Sequence, residues 1–325
     1  MTMRLGNDAS TPLARPQSAS AVRWRTDYAG QAPACRQCTR LRIVGLGGDD
    51  GAVDGEHGAH EDDARQVIRS LVPAWREQPL DAMQWLTGGY TNRNWRFAVD
   101  GRDYAVRVVR SVGPRPVEAT YLALPSAPAV VAFDEARGHL ITEWIDAPTL
   151  AQTPASAEET GICIARLHGE IPAGIRRYDV KAVIAAYFRA AKDAGCLDHR
   201  AAAAFQRLSW QPSRIRGCHN DLNPWNVLCT PSGWRTLDWE HAGDNDPLFD
   251  VLGLCTCLEW EQEATWLCVQ AWSEAAGTPP PSPEHLDRTR TAFYIREYAW
   301  AAAQLGQGND RPEIRQQATD YLARI

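Results

Sequence analysis

The polar residues best suited to chemistry are concentrated in one stretch, GCHNDLNPWNVLCTPSGWRTLDWEHAGDNDP, between Gly217 and Pro247. It contains Asp221, then Asn226 five residues later and Asp238 twelve residues after that. A carboxylate and an amide oxygen form a hard-oxygen site of the kind that holds Mg²⁺ together with substrate phosphates. The remaining carboxylate is then free to receive a proton from a hydroxyl group. These are the components of a phosphoryl-transfer site.

The flanking residues are apolar, as in a buried strand. Burying several polar side chains there costs free energy unless each one finds a partner. A single Asp or Asn in such a loop is more often a turn former that bonds to its own backbone. The functional interpretation therefore rests on the joint spacing of the three residues and not on any one of them.

The region upstream is rich in strand signals. MQWLTGGYTNRNWRFAVDGRDYAVRVVR, from Met83 to Arg110, predicts three strands with turns at TGGYTN and at Asp100–Gly101. The segments AVVAF and GHLITEWI predict two more strands, the second ending near Ile145. Two helices are predicted here, in ARQVIRSLVPAW and in PVEATYLAL.

After Pro148 the pattern becomes helical. Ser156 and Glu159 have the spacing of a capping box and predict the start of a helix. Apolar residues from Val180 to Ala191 follow the helical period, and further helices are predicted in PLFDVLGLCTCLEW and EHLDRTRTAFYIREYAWAAAQLG. Within the polar stretch, TPSGW predicts a hairpin between Asn226 and Asp238.

Composition narrows the function classes. The chain has 325 residues and a net charge of −6, with no basic block near the polar stretch, so nucleic acid is not expected as a partner. No run of about 18 apolar residues is present, so no membrane span is expected. Nine cysteines without an apolar leader favour reduced thiols and a cytoplasmic location.

Residues 1–63 differ from the rest, because a basic segment is followed by an acidic, Gly-rich one. This composition predicts a weakly ordered N-terminal extension. It includes a CxxC pair, Cys35 and Cys38, but no second pair follows at a spacing suited to zinc, so the pair has no assigned role.

The combined motif HNDLNPWNVL…LDWEHAGDNDPLFD resembles the catalytic segment of the aminoglycoside phosphotransferase and choline kinase superfamily. That pattern is H-x-D-x-x-x-x-N, then D-[WYF]-E-x-A, then D-P-x-x-D, and every element is present. The resemblance covers residues 64–310, and LTGGYTNRNW and EYAW are similar to the choline, ethanolamine and thiamine kinase branch. It implies an α+β, bilobal, protein kinase-like fold. The small antiparallel-sheet N-lobe would span residues 64–146, and the mainly helical C-lobe residues 147–325.

The resemblance also implies roles for the residues of the motif. Asp221 would orient the substrate hydroxyl and accept its proton, while Asn226 and Asp238 would hold Mg²⁺. His219 would tie the catalytic loop to the core. Asp250 would anchor the same loop through hydrogen bonds to its backbone.

The nucleotide side would bind ATP. A Gly-Gly turn lets backbone N–H groups approach phosphates, and an arginine on a half-buried strand needs an anionic partner. Glycines of the turn, an ion pair and the backbone of a hinge would together form this side. The residues are Gly88, Gly89, Asn92, Arg107, Glu118, Glu143 and Ile145.

The acceptor side would hold a cation over aromatic faces with acidic groups nearby. Its candidates are Glu240, which could instead face a second metal, and the aromatic residues Trp239, Trp225, Tyr298 and Trp300. Choline kinases carry two tryptophans three residues apart on the last helix, whereas Ala303 follows Trp300 here. This departure leaves ethanolamine, thiamine or another amino alcohol open.

The leading hypothesis is an ATP- and Mg²⁺-dependent kinase that phosphorylates the hydroxyl of a cationic amino alcohol such as choline or ethanolamine. A thiamine kinase and an aminoglycoside-type antibiotic phosphotransferase are the alternatives. A non-catalytic nucleotide-binding scaffold is disfavoured, because such proteins usually lack one catalytic group and none is missing here.

Overall fold

The computed structural model describes residues 54–86, 92–153 and 155–325, with side chains from residue 60 onward. Gly88, Gly89 and the Cys35/Cys38 pair lie outside the described residues. The helices are α1 Asp54–Leu71, α2 Glu118–Leu122, α3 Ala157–Glu170, α4 Val180–Asp193, α5 His199–Arg207, α6 Leu248–Cys257, α7 Gln262–Ala275, α8 Pro283–Gly306 and α9 Pro312–Leu322. The strands are β1 Asp81–Leu86, β2 Asn92–Val99, β3 Arg102–Val109, β4 Val130–Phe133, β5 Leu140–Glu143, β6 Arg216–Cys218, β7 Val227–Thr230, β8 Gly233–Thr236 and β9 Gly243–Asn245.

The first five strands form one antiparallel sheet in the order β1-β2-β3-β5-β4. The hairpin between β2 and β3 turns at Asp100 and Gly101, which both have positive φ, 49° and 72°. This backbone geometry matches the twist of the flanking strands. Apolar side chains from β2, β3 and β5 alternate into a core beneath α1, which includes the fully buried Ile68. The strand predictions for this region are confirmed.

Helix α1 begins at Asp54, so it includes the last ten residues of the predicted weakly ordered extension. Arg65 explains part of its stability, because its guanidinium bonds to Glu61 one turn earlier and to the Leu80 carbonyl. Ala64 is fully buried against the sheet. Residues 54–63 therefore belong to a helix, a correction to the boundary that composition alone placed at residue 63.

The second part of the fold is mainly helical. Ser156 caps α3: its hydroxyl accepts from the Glu159 amide at 3.2 Å, and the Glu159 carboxylate accepts from the Ser156 amide at 3.3 Å. Helix α3 lies so close to α7 that a Cβ at Gly161 would come within 2.3 Å of the Cys268 carbonyl oxygen. The helix α8 packs on α4, α6 and α9 and forms the second core.

Two small sheets lie within the helical part and carry the polar stretch. Strand β6 pairs with β9, and β7 pairs with β8 in the predicted hairpin. The chain leaving the large sheet joins this hairpin, since the Leu150 amide donates to the Val227 carbonyl at 2.8 Å. Across the described ranges, no helix is both long and apolar enough to cross a membrane.

Candidate active site

The loop after β6 is held in an uncommon backbone conformation at Asn220. This residue has φ 65°, in the left-handed region that Asn tolerates better than most side chains. Its side-chain nitrogen Nδ2 donates to the backbone carbonyls of His241 and Gly243, both at 3.0 Å. Its side-chain oxygen Oδ1 accepts from Asn245 Nδ2 at 2.8 Å. Asn220 therefore locks the loop onto β9 and aims the next residue, Asp221, away from the core.

Asp250, near the start of α6, holds the same loop from below. Its two carboxylate oxygens accept the backbone N–H groups of Asn220 at 2.7 Å and His219 at 2.8 Å, and His168 Nε2 lies 3.0 Å away. Burial alone would raise the pKa of Asp250, but these contacts hold it below its ordinary value. Asp250 thus anchors the backbone of the loop at His219 and Asn220 to helix α6.

His219 is fully buried and joins the loop to the end of β8. Its Nε2 donates to the Leu237 carbonyl at 2.8 Å, and its ring lies 4.8 Å from that of Trp239. Burial lowers the pKa of His219, so the ring is neutral. No described residue pairs with Nδ1. These contacts are structural and leave His219 with no access to a substrate.

Asp221 stands at the surface of the loop with about a quarter of its side chain exposed, 27%. Its Oδ1 accepts from Arg296 Nη1 at 3.3 Å, and its Oδ2 accepts from Asn226 Nδ2 at 3.2 Å. Asn223 Nδ2 also donates to Oδ2, at 3.5 Å, so three donors orient the carboxylate while it remains partly exposed. A substrate hydroxyl can approach it there.

The β7–β8 hairpin brings the two predicted metal ligands together. Val227 pairs with Thr236, and the Leu237 amide donates to the Asn226 carbonyl at 2.8 Å. Asn226 thus lies beside the residue that precedes Asp238. Its side-chain nitrogen is bonded to Asp221, and no described donor reaches its side-chain oxygen.

Asp238 has a carboxylate oxygen without a hydrogen bond, although Arg107 Nη1 lies 3.6 Å from it. It adopts a left-handed conformation, φ 61° and ψ 63°, and a third of its side chain is exposed, but its Oδ1 is enclosed and has no hydrogen-bond partner. Burial and the nearby Glu240 and Asp221 raise its pKa well above the ordinary value, against the pull of Arg107. A divalent cation would supply the missing positive charge, so the oxygen set of Asn226 and Asp238 fits Mg²⁺.

On the sheet, Arg107 forms a buried ion pair with Glu118 of α2. The two guanidinium nitrogens donate to the two carboxylate oxygens at 2.7 and 2.9 Å, and Nη2 also donates to the Gly138 carbonyl at 3.1 Å. Burial alone would lower the pKa of Arg107, but Glu118 holds it above its ordinary value. Arg107 Nη1 also lies 3.6 Å from Asp238, so this pair borders the metal ligands. Asn92 is buried at the start of β2, opposite Val109.

The segment after β5 links the two parts of the fold. Glu143 is exposed at the end of the strand, and the next amide, that of Trp144, donates to the Asp103 carbonyl at 3.1 Å. Ile145 is half-buried, and no described residue accepts its backbone N–H.

Two of the predicted acceptor contacts are wrong. Trp239 is 1% exposed, donates from its indole nitrogen to the Thr236 carbonyl and stacks on Tyr121 at 6.3 Å. Tyr298 is also buried, and its hydroxyl accepts from the Asp198 amide at 2.7 Å. Both rings are fully occupied by packing, because aromatic side chains at helical spacing mostly serve the core. Trp225 and Trp300 are half-buried, in the catalytic loop and on α8.

Glu240 is also committed to a partner. Its carboxylate forms an ion pair with Arg115, which precedes α2, and its side chain is 14% exposed. Burial alone would raise the pKa of Glu240, but His241 and Arg115 hold it below its ordinary value. The pair with Arg115 joins the chain around α2 to the segment that carries Asp238.

Two residues at this site were not foreseen from the sequence. Arg296 is 5% exposed and donates to the Asn220 carbonyl at 2.6 Å as well as to Asp221. Glu297 lies 2.7 Å from Arg296 Nη1, and burial raises its pKa to about 7 against the pull of that arginine. The sequence does contain a signal for them: an Arg-Glu pair lies inside the apolar helix pattern FYIREYAW. Charged residues buried in such a pattern need partners.

Comparisons with known proteins agree on one family. Residues 83–294, well over half of the chain, match the family model described as phosphotransferase enzyme family. Protein LicA of Haemophilus influenzae is 27% identical over 202 residues, which span 54% of this chain but only 58% of that relative.

Solved structures show the same fold. A choline/ethanolamine kinase family protein from Mesorhizobium loti superposes with a TM-score of 0.60 and 23% identity, over 81% of this chain and 92% of its own. The choline kinase LicA from Streptococcus pneumoniae gives a TM-score of 0.61 at 18% identity, over 80% and 99%. The fold is thus the predicted kinase-like one, and the chain belongs to the phosphotransferase enzyme family.

Proposed function

We propose that the chain is an ATP- and Mg²⁺-dependent kinase that transfers the γ-phosphoryl group to the hydroxyl of a cationic amino alcohol such as choline or ethanolamine. One observation carries the proposal. An oriented, partly exposed carboxylate on Asp221 is bonded to Asn226, and the nearby Asp238 has an enclosed Oδ1 that accepts no hydrogen bond from the described residues. This is the set that phosphoryl transfer requires.

The nucleotide would lie between the sheet and the helical part. The backbone N–H of Ile145 and the neighbouring backbone of Glu143 would bind adenine, and Arg107, fixed by Glu118, would face the phosphates. Gly88 and Gly89, as the family resemblance implies, and Asn92 at the start of β2 would bind the phosphates. Support comes from the Ile145 N–H, which lacks an acceptor among the described residues.

The metal would be held by Asn226 and Asp238. When bound, Mg²⁺ neutralises charge on the phosphate oxygens and aligns the transferred group. Asp221 would accept a hydrogen bond from the acceptor hydroxyl and take its proton as the oxygen attacks phosphorus. The phosphoryl group passes from ATP to that oxygen, leaving ADP and a phosphate monoester. His219 and Asp250 keep the loop in register throughout.

The cationic acceptor is supported by the chemistry around Asp221. The carboxylates of Glu240 and Glu297 lie on this side, each paired with an arginine, and Asp221 is the partly exposed one. Tyr178 and Tyr187 are close enough to Asp221 to sense its charge, and burial raises the pKa of both phenols, so both rings stay neutral. Aromatic faces near carboxylates suit an ammonium group. Trp225 and Trp300, half-buried, remain candidate contacts.

An acceptor panel with purified protein tests the proposal. ADP release from Mg·ATP is measured with choline, ethanolamine, thiamine and an aminoglycoside, each compared with a reaction that lacks acceptor. We expect one of the first two to stimulate release, and Asp221→Asn and chelation of Mg²⁺ each to abolish that stimulation. Stimulation by thiamine or by the aminoglycoside alone would overturn the acceptor class. Absence of ADP release with all four would favour a non-catalytic nucleotide-binding scaffold.

A further inference from the structure

Arg296 connects the last helices to the catalytic loop. From α8, its Nη2 donates to the Asn220 carbonyl at 2.6 Å and its Nη1 donates to Asp221 Oδ1 at 3.3 Å. The same Nη1 lies 2.7 Å from Glu297 Oε1. One guanidinium thus contacts both the backbone and the side chain of the loop that would perform the chemistry.

The surroundings of this guanidinium fix its position. It lies over the rings of Phe249 and Phe293, 5.6 Å from each centroid, and the residue is 5% exposed. An arginine in such a place cannot exchange its partners for water, so its planar fork dictates where they lie. Moving Arg296 would therefore move the Asp221 carboxylate.

Glu297 and α9 hold Arg296 from the other side. Glu297 Oε2 accepts from Gln317 Nε2 at 2.9 Å, and Gln317 belongs to α9. A continuous line of polar contacts thus runs from α9 through Gln317, Glu297 and Arg296 to Asp221. The other three members of the line do not belong to the sequence motif that contains Asp221.

We propose that Arg296 is the positioning residue of the catalytic carboxylate, and that Glu297 and Gln317 set how Arg296 divides its charge between Asp221 and Glu297. This inference rests on the proposed function, since it assigns Asp221 the role of proton acceptor. It adds a specific role for α8 and α9 in the reaction.

The division of charge is sensitive to pH. The charged and titratable groups facing Glu297 are Arg296 on α8, Asp221 in the loop, Tyr178 before α4, Cys257 on α6 and Tyr321 on α9. Since the pKa of Glu297 is about 7, it changes charge near neutrality. Protonation of Glu297 leaves Asp221 as the charged carboxylate in contact with the Arg296 guanidinium.

The test compares four variants of the full chain. Arg296→Met removes the guanidinium, Arg296→Lys keeps its charge, and Glu297→Gln removes the competing charge. Arg288→Gln is the matched control, because Arg288 lies on the same helix in an exposed pair with Glu284. Steady-state rates are measured across pH with the acceptor that the panel identifies, and crystal structures of the wild type and Arg296→Met are determined without acceptor.

A positioning role predicts a specific pattern. Arg296→Met lowers kcat about 100-fold with the KM for ATP within about threefold, and Arg296→Lys recovers about tenfold of the loss. A change in kcat between pH 6 and pH 8 follows the charge of Glu297 in the wild type and is absent in Glu297→Gln. Arg288→Gln stays within about twofold of the wild type. In the Arg296→Met crystal, Asp221 leaves its wild-type rotamer.

Other outcomes overturn the inference. The same pH dependence of kcat between pH 6 and pH 8 in Glu297→Gln and the wild type, or an unchanged Asp221 rotamer in Arg296→Met, shows that Arg296 only stabilises the fold. If Arg296→Met does not fold, the Lys and Gln variants still decide through the pH profile. If the wild type phosphorylates no acceptor, the proposed function fails, and the two crystal structures still test the contact on its own.

Discussion

Two buried arginines border the candidate site, one from each part of the fold, and they use their charge differently. Arg107 on β3 donates hydrogen bonds from both terminal nitrogens to one carboxylate, Glu118, at 2.7 and 2.9 Å, while Asp238 Oδ1 lies 3.6 Å from its Nη1, beyond hydrogen-bond distance. Arg296 on α8 shares one nitrogen between Glu297 at 2.7 Å and Asp221 at 3.3 Å. Arg107 is 9% exposed and Arg296 5%, so both guanidinium groups are shielded from solvent.

The difference is between a closed pair and a shared one. A bidentate pair has its geometry fixed by two parallel hydrogen bonds, and it responds little to a change in a third group. A shared arginine responds whenever one of its two carboxylates gains or loses a proton. The sheet therefore offers a rigid cation toward the proposed phosphates, and the helical part offers an adjustable cation toward the proposed base.

Removing the base should have the largest effect. Asp221→Asn leaves the shape of the loop unchanged but removes the proton acceptor, so kcat should fall about 1000-fold. ATP binding, governed by the closed pair on the sheet, should change little. The checks are ADP release and calorimetric titration with ATP. Substantial turnover by this variant would show that Asp221 is not the base.

The contact between Arg296 and Glu297 should also affect how the free energy of unfolding depends on pH. The pKa of Glu297 is about 7 in the folded chain, above the ordinary Glu value of 4.5. Its contribution to stability is therefore fully present below about pH 4.5 and is lost as the pH rises through 7, an effect of about 3 kcal/mol. Urea unfolding of the wild type and Glu297→Gln at pH 5 and pH 8 measures it. Identical pH dependence in both proteins would contradict the account.

Arg107→Lys breaks the closed pair without leaving Glu118 unpaired. A lysine cannot reproduce the bidentate geometry, so the KM for ATP should rise about tenfold, with a smaller change in kcat. Arg296→Lys should show the opposite pattern, because its partner is the base. Steady-state kinetics of both variants sharpen the comparison. The same changes in KM and kcat in both variants would mean that the two arginines do not have different roles.

Removing an exposed ion pair should have the smallest effect on the free energy of unfolding. Arg288 and Glu284 approach to 2.6 Å, as close as the buried pairs, but their side chains are 48% and 73% exposed. Solvent screening limits such a pair to less than about 0.5 kcal/mol. Urea unfolding of Arg288→Gln should match the wild type within that range, and a larger loss would show that distance outweighs burial here.

The sequence predicts the fold and the loop residues well where the signals are local. The β2–β3 hairpin follows from the Asp-Gly turn, and the Ser156 capping box follows from its three-residue spacing. Asn226 and Asp238 meet because a short hairpin joins them. Each of these features is set by neighbours within about a dozen residues, where turn chemistry and strand pairing decide the geometry.

The remainder depends on packing between distant segments. Arg296 reaches Asp221 across 75 residues of chain, and no local pattern indicates which helix will face the loop. Trp239 and Tyr298 are residue types that can bind a cation, yet both rings are buried in the core. Whether an aromatic residue lines a cleft or fills a core depends on the final helix orientation, which residue type alone does not determine.

The central claim is transfer of a phosphoryl group to a cationic alcohol with Asp221 as base. Phosphorus NMR of the protein with Mg·ATP and choline or ethanolamine tests it most directly, because it identifies where the phosphoryl group goes. We expect a phosphate monoester to appear in step with ADP for the wild type and to be absent for Asp221→Asn. Formation of inorganic phosphate alone, or of the same ester by both proteins, would contradict the claim.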